Sequence, residues 1–326
     1  MNYYFAPLEG ITDLTYRTMH NKYFGGISLY FMPFLSPTQN HCLTKKEQRE
    51  LPVASTLLCD TIPQILTKSP EDFLWAAKCC ADRGYDEVNL NMGCPSGTVV
   101  SKGKGSGMLK DIDALHKFLD EIFARCPTKI SVKTRIGLQD PTEFAPIAGL
   151  LNSYPFSEVI IHPRIREAFY KGPVHMEAFR YATAHCKHSL CYNGDICSPE
   201  DIHYISSQFP QVSSVMIGRG LITDPGMLCG GTNRSTIYHF HEELFDEYCR
   251  IFANDHNAMC RMKEIWSMMI HLFDESEKHS KKLRKSTDYQ TFRTIAREVL
   301  TTLPILPPTP RLFHTTPEQT KSHPQD

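Results

Sequence analysis

Short runs of β-branched and aromatic residues recur along the first 220 positions. Each is followed by a stretch with the three- and four-residue spacing of a helix. The runs that read as strands are Tyr3–Ala6, Ile27–Phe31, Val53–Leu58, Glu87–Leu90, Lys129–Lys133, Glu158–Ile161, Leu190–Tyr192 and Ser214–Ile217. Eight is the number a closed β/α barrel requires. Ser69-Pro70-Glu71-Asp72 sets a cap, a proline and two acids at a helix start, and that helix runs to Arg83 before Gly84 stops it. Asp111 opens a helix that ends near Arg125, before Pro127, and Ser198-Pro199-Glu200-Asp201 repeats the first start signal. Strand–helix alternation predicts a parallel sheet with helices outside. An open doubly wound sheet would place a glycine-rich turn after its first strand, and Ala6–Asp13 contains no G-x-G-x-x-G. The expectation is an α/β fold, a TIM (β/α)8 barrel followed by a small all-helical C-terminal domain.

The pattern changes near residue 235. Tyr238 to Leu303 contains neither glycine nor proline, and apolar residues recur at helical steps: Leu244, Tyr248, Ile251 and Phe252, then Met262, Ile265, Trp266, Met269, Ile270 and Phe273. Three or four helices are expected here. Prolines at 304, 307, 308, 310, 317 and 324 mark a loosely ordered tail. The division is therefore 1–235 barrel, 236–303 helical domain and 304–326 Pro-rich flexible tail.

Composition narrows the class. The chain has 326 residues, 41% hydrophobic and 22% charged, as in soluble globular proteins. No apolar run approaches the roughly 20 residues that span a bilayer, and the start lacks the basic and apolar regions of a secretory signal; a cytoplasmic protein is expected. The net charge of −1 excludes a generic electrostatic nucleic-acid binder, so any RNA contact needs a local patch. The 12 cysteines form no C-x-x-C pair, which leaves no zinc ribbon or redox motif and predicts no metal.

Reactive groups of a barrel lie at the carboxyl ends of its strands. Polar residues follow nearly every run: Pro7-Leu8-Glu9 after the first, Gln64 beyond the third, Asn91 to Cys94 after the fourth, Lys133 at the end of the fifth, His162-Pro163-Arg164 after the sixth. Asn193-Gly194-Asp195 follows the seventh and Gly218-Arg219-Gly220 the eighth, where this fold commonly binds phosphate. Lys133 places a cation in the mouth, suited to neutralising charge on a cofactor ring. Gln64 offers an amide that reads a heterocycle's edge. Cys94 sits between Gly93 and Pro95, where a thiol serves as acid or nucleophile. The glycine-rich stretch Ser96–Gly107 carries Lys102 and Lys104 and reads as a mobile lid over a polyanion.

These segments resemble the tRNA-dihydrouridine synthases. The resemblance rests on Ala6-Pro7-Leu8-Glu9-Gly10-Ile11-Thr12-Asp13 with Tyr16-Arg17, on Asn89-Leu90-Asn91-Met92-Gly93-Cys94-Pro95 and on Val132-Lys133-Thr134-Arg135-Ile136-Gly137. It continues with His162-Pro163-Arg164, Tyr170-Lys171-Gly172, Asn193-Gly194-Asp195-Ile196 and Met216-Ile217-Gly218-Arg219-Gly220, in order, over about residues 3 to 230. It implies reduction of the C5=C6 bond of specific uridines in tRNA, with FMN bound in the barrel mouth and NADPH as reductant. Cys94 then corresponds to the proton donor and Asn91 to a residue facing the uracil, with Arg164 also on the substrate side. Pro7, Leu8, Glu9, Gln64, Lys133 and His162 correspond to flavin-ring contacts, and Asn193, Gly194, Asp195, Gly218 and Arg219 to the ribityl-phosphate site.

The bottom-up requirements agree. An isolated C5=C6 bond needs a hydride donor that amino acids lack, and the developing charge at C5 needs an acid. The base must leave the tRNA stack, and a basic patch must hold the backbone. Lys281, Lys282, Arg284 and Lys285, with Lys278 before them and Arg293 and Arg297 beyond, supply that patch. The expected species is a monomer, without membrane contact. Departures from the family pattern are Leu8 for Met, Ser96-Gly97-Thr98 where lysines are common, Pro163 and Ile165 for Gly and Thr, and Ala168 for Gln. Two other readings compete: an FMN-dependent oxidoreductase on a free pyrimidine, which has no use for a basic helical domain, and a non-catalytic RNA-binding barrel, which has none for Cys94 and Lys133.

Overall fold

The computed structural model describes residues 1–312. Nine parallel strands form one sheet: β1 (Asn2–Phe5), β2 (Leu29–Phe31), β3 (Thr61–Ile62), β4 (Gln64–Ile65), β5 (Glu87–Met92), β6 (Lys129–Arg135), β7 (Val159–His162), β8 (Leu190–Asn193) and β9 (Ser214–Ile217). The order is β3-β2-β1-β9-β8-β7-β6-β5-β4. Its two ends, β3 and β4, are halves of one stave split at Pro63, so the sheet closes on itself with eight staves. Met32 N–H donates to Ile62 O (3.0 Å) and Leu35 N–H to Gln64 O (2.8 Å), while Asn89 N–H donates to Pro63 O (2.8 Å), sealing the ring from both sides.

Seven of the eight sequence runs coincide with strands. The exception is Val53–Leu58, which is surface chain with a 3-10 turn at Ala54–Thr56; Val53 is 51% and Leu58 73% exposed. The true third stave starts at Thr61 and is disguised by Pro63, which cannot donate to a ladder. The helix starts hold as read: Ser69, Asp111 and Ser198 cap Pro70–Ala81, Ile112–Arg125 and Pro199–Gln208 with their side chains.

Period-two alternation sorts the strands. Tyr4, Ala6, Phe31, Ile160, Cys191 and Met216 pack together as one small cluster of the barrel. Val88, Leu90, Val132, Ile161, Tyr192 and Val215 join the large core shared with the helices.

Four helices follow: Arg234–Phe252, Asp255–Met269, Glu277–Lys285 and Tyr289–Thr302. Their apolar faces belong to the same large core as the barrel's helices. Phe240 sits edge-on to Tyr16, Tyr23 and Phe24 at 5.7, 6.0 and 5.2 Å, and the Tyr248 hydroxyl donates to Asp13 Oδ1 at 2.9 Å. The tail differs from expectation over residues 304–312, which pack back onto the molecule; Leu312 is 4% exposed. Residues 313–326 of the expected flexible tail lie outside the described residues. Among the described residues, no helix is long and apolar enough to cross a membrane.

Phe240→Ala should cost about 3–5 kcal/mol of stability, the usual loss for emptying a fully buried aromatic site. Denaturant unfolding measures this; a loss below about 1 kcal/mol would show that the helical layer does not depend on that contact.

Candidate active site

The carboxyl ends of the staves surround a cavity of about 370 Å³, in the range of small-molecule sites. Pro7, Leu8, Glu9, Gln64, Lys133, His162, Asn193, Gly194, Asp195, Gly218 and Arg219 all line it, as do Asn91 and Cys94. Thirteen positions spread over two hundred residues thus share one wall because they occupy the tips of neighbouring staves. Met268, from the helix Asp255–Met269, also lines the cavity.

One wall is a chain of amides. Asn89 Nδ2 donates to Ser131 Oγ (2.9 Å), Gln64 Nε2 to Asn89 Oδ1 (2.7 Å), and Asn91 Nδ2 to Gln64 Oε1 (2.7 Å). Asn91 Oδ1 in turn accepts the N–H groups of Gly93 (3.1 Å) and Cys94 (3.0 Å). Asn91 therefore fixes the turn that presents Cys94, besides facing the cavity. Burial pushes the half-buried Cys94 thiol above its usual pKa, against the opposing pull of the Ser96 N–H, Arg135 and Lys133. It stays protonated at neutral pH, the state an acid requires.

The stretch after Cys94 is not an open lid. Gly97–Val100 is a helical turn and Gly105–Lys110 a 3-10 turn. Fully buried Ser106 donates both its hydroxyl (2.9 Å) and its N–H (3.1 Å) to Cys94 O. Gly105 has φ +58°, and a Cβ there would lie 2.8 Å from that same oxygen. Gly105 thus serves close packing behind the cysteine, and Gly107 packs against the Val100 backbone. Lys102 is exposed and Lys104 half-buried, and neither lines the cavity.

The adjoining wall is cationic, beginning at Lys133, which is in register with Asn91 on the neighbouring strand. Lys133 Nζ donates to Asn193 Oδ1 at 2.6 Å, and Asn193 Nδ2 donates to Met216 O at 2.7 Å. Burial, with Arg135 adding repulsion, lowers the Lys133 pKa to about 8. His162 is held well below its ordinary pKa by burial and by Arg135, Lys133, Arg164 and Arg219, so it is neutral. Arg164 Nη1 lies 3.1 Å from His162 Nε2. A guanidinium only donates, so Nε2 accepts and the ring proton sits on Nδ1.

Arg164 corrects the expectation of substrate contact. It is 1% exposed, pairs with Asp195, and donates to Gly172 O from Nη2 at 2.7 Å. All of its reach is spent behind the wall. Asp195 also accepts Arg219 Nη2 at 3.0 Å, which aims a partly exposed guanidinium along the cavity edge. Gly220 allows the tips of β8 and β9 to touch, since a Cβ there would stand 2.3 Å from Ile196 O.

Arg135 and Tyr170 also line the cavity and had no assigned role in the sequence. Arg135 donates to Gly93 O (3.0 Å), Ile165 O (3.0 Å) and Phe169 O (2.7 Å), tying the loop after β5 to the loop after β7. The Tyr170 ring lies within cation–π distance of the guanidinium groups of Arg135 (5.3 Å) and Arg219 (5.1 Å) and stacks on His162. The two-residue step from Lys133 signalled Arg135; nothing local signalled the cluster around Tyr170. Pro163 has no N–H to donate, and its carbonyl accepts His175 N–H at 2.7 Å.

On the helical layer Lys281, Lys282, Arg284 and Lys285 are exposed, as is Lys278, and none forms an ion pair among the described residues. Arg293 and Arg297 do not extend that patch. Both bind Glu242, at 2.7 and 2.5 Å, and Arg293 also binds Asp246 at 2.6 Å. Among the described residues no group of three or more His, Cys, Asp or Glu side chains is arranged to hold a metal ion.

The depressed Lys133 pKa makes a signed prediction. Below about pH 8 the folded chain carries a desolvated ammonium; above it the folded chain sheds a proton that the unfolded chain keeps to about 10.4. Stability from this group therefore rises with pH across that window. Without added ligand, any gain in melting temperature of Lys133→Met over wild type should shrink between pH 8 and 10. A difference that is flat with pH would show that Lys133 is not strained by burial.

The sequence model of the dihydrouridine synthases (Dus) matches residues 4–302. The tRNA-dihydrouridine synthase B of Pasteurella multocida is 24% identical over 283 residues, 86% of this chain and 81% of that protein. The namesake from Vibrio cholerae is 26% identical over 222 residues, 66% of each chain, so about two thirds of its length is spanned. A probable tRNA-dihydrouridine synthase of Rhizobium leguminosarum is 28% identical over 232 residues, 69% of this chain and 71% of that one. Among solved structures, morphinone reductase superposes with a TM-score of 0.50 at 12% identity, covering 72% of this chain and 88% of that chain. That likeness concerns the barrel fold.

Proposed function

The chain belongs to the dihydrouridine synthase family, and we propose that it acts as a tRNA-dihydrouridine synthase, with FMN in the cavity and NADPH as reductant. The observation that carries the reading is the juxtaposition of a protonated thiol, Cys94, with a cationic wall that ends in Arg219. The fit of FMN rests on this chain's own groups. The cavity is lined by Gln64 and Asn91 of the amide chain and by the tips of β8 and β9, where Arg219 beside Asp195 is available for a phosphate. Lys133 and the Nδ1–H of His162 offer donors for the polar edge of a flavin, and Leu8 offers an apolar contact.

Bound FMN supplies hydride for C6 of the uracil. The residues do the rest. Lys133 gains a counter-charge when the site is occupied, which offsets the burial that strains it alone. Asn91 holds the backbone of Cys94 and keeps the thiol at the mouth. Cys94 Sγ–H gives its proton to C5, and the raised thiol pKa keeps that proton available through neutral pH. Met268, from the helical layer, adds an apolar side chain to the cavity lining. Residues 1–235 form the catalytic unit in this reading and 236–303 the RNA-binding unit. The unpaired cations Lys281, Lys282, Arg284 and Lys285 meet the tRNA backbone, with Lys102 and Lys104 near the Cys94 edge.

Cys94→Ala separates the two half-reactions. It should bind FMN and accept electrons from NADPH at close to the wild-type rate. Its single-turnover rate on unmodified tRNA should fall about 10²–10⁴-fold, the usual loss of a general acid. The wild-type rate in that half-reaction should stay flat past about pH 8.5, the ordinary thiol value, and decline beyond. Equal rates for variant and wild type would overturn the role of Cys94.

Arg219→Ala tests the phosphate end. Losing a charge-assisted hydrogen bond, worth roughly 1.5–3 kcal/mol, should weaken FMN binding about tenfold or more. Unchanged flavin content after dialysis would place the phosphate elsewhere.

A further inference from the structure

The segment after the last helix returns to the barrel in two steps. The first fastens it to the helical layer: Asp274 N–H donates to Pro304 O (2.9 Å), Ile305 bridges Phe273, and Leu306 N–H donates to Leu272 O (2.8 Å). The second lands on one carboxylate. The N–H groups of Arg311 and Leu312 both donate to Asp201 Oδ1, at 2.9 and 2.8 Å, and the Leu312 side chain is buried there.

Asp201 is fully buried in the first turn of Pro199–Gln208. Its second oxygen, Oδ2, accepts Cys197 N–H at 2.9 Å. Cys197 and Ile196 line the cavity and follow Asp195, the residue that aims Arg219. Asp195 itself has φ +46°, a conformation that needs support from its surroundings. One buried carboxylate thus joins the returning segment to the loop that shapes the cavity's anion end. If the segment were lost, Asp201 Oδ1 would lose both backbone donors, and a buried acceptor without donors is costly.

We propose that residues 307–312 are a strap that positions the Asp195–Cys197 loop, and through it the phosphate end of the cofactor site. This rests on the reading that the FMN phosphate lies at the tips of β8 and β9. The strap makes the carboxyl-terminal side of the helical layer a contributor to cofactor affinity while touching no cofactor atom; its residues are positioning residues.

The test compares full-length protein, a chain ending at Leu312, a chain ending at Leu306, and the full-length variant Leu312→Asp. Two quantities are read: the FMN dissociation constant by fluorescence titration, and amide hydrogen exchange over 195–201 without FMN. The chain ending at Leu306 and Leu312→Asp should bind FMN about tenfold or more weakly and exchange faster over 195–201, while the chain ending at Leu312 matches full length. Leu312→Asp decides the matter if the shorter chain does not fold. Affinity within twofold of full length overturns the strap, whether or not exchange accelerates. If the full-length protein itself does not bind FMN, the cofactor reading fails, and that outcome is distinct because it needs no truncation.

Discussion

The site depends on a constraint of barrel interiors: a polar side chain inside must find its partner inside. The amides of Gln64, Asn89 and Asn91 meet this by bonding to one another in series, ending on the backbone of Cys94. An amide offers one acceptor and two donors, so the series has a direction, from the Cys94 turn down to Ser131. Changing any member leaves its neighbour unsatisfied, and loss of Asn91 removes the acceptor that holds the Cys94 turn. The thiol is thus placed by the barrel's own hydrogen bonding, supported from behind by Ser106 and by the absence of a Cβ at Gly105.

Charge is handled by a second economy. Lys133, Arg135, Arg164 and Arg219 gather around a cavity whose nearby acids are Asp195 and, on the rim, Glu9. Asp195 serves two arginines, and the Tyr170 ring offers its π-system to Arg135 and Arg219. Glu9 is drawn outward by Lys46 at 2.6 Å. The remaining excess is positive and buried, which is why Lys133 and His162 are both pushed toward their neutral forms. Such a wall is strained alone and relieved by an anion, a preference built into the fold before any ligand arrives.

What the sequence could reveal follows from the range of the forces involved. Strand ends and helix caps are local, and Ser69, Asp111 and Ser198 do what their spacing implies. The tip residues were legible because a parallel barrel sends every strand's carboxyl end to one face. Val53–Leu58 failed because β-branched residues also suit an exposed turn, while Pro63 hid the real stave. Arg164 failed because its type suggests an anion ligand, and only the fold shows that Asp195 and Gly172 O have claimed it. Arg293 and Arg297 failed in the same way, through Glu242 on a helix some fifty residues earlier. Glycines in Ser96–Gly107 signalled freedom, yet glycine also marks where backbones must touch. Proline in the tail signalled disorder, yet Asp201 captures the chain at residues 311 and 312.

The opening motif explains why the barrel and helical layer work as one body. Its first half, Pro7 to Glu9, faces the cavity; its last residue, Asp13, accepts Tyr248 Oη–H and lies 3.8 Å from Arg261, both on the helical layer. Between them Leu8 N–H donates to Thr12 Oγ1 at 2.8 Å and Thr12 N–H to Leu8 O at 3.0 Å, closing a compact turn. Arg17 Nη1 donates to Thr12 O at 2.7 Å and pairs with buried Glu50 at 3.5 Å; Glu50 itself accepts Leu14 N–H. Burial pushes the Glu50 carboxyl pKa up while Arg17 pulls it down, so each charge is tolerable only with the other in place. A shift of the helical layer would therefore strain this buried pair through Asp13, and the turn would carry the displacement to Leu8 and Glu9. The cavity wall and the helical layer are thereby joined through the seven residues Pro7–Asp13.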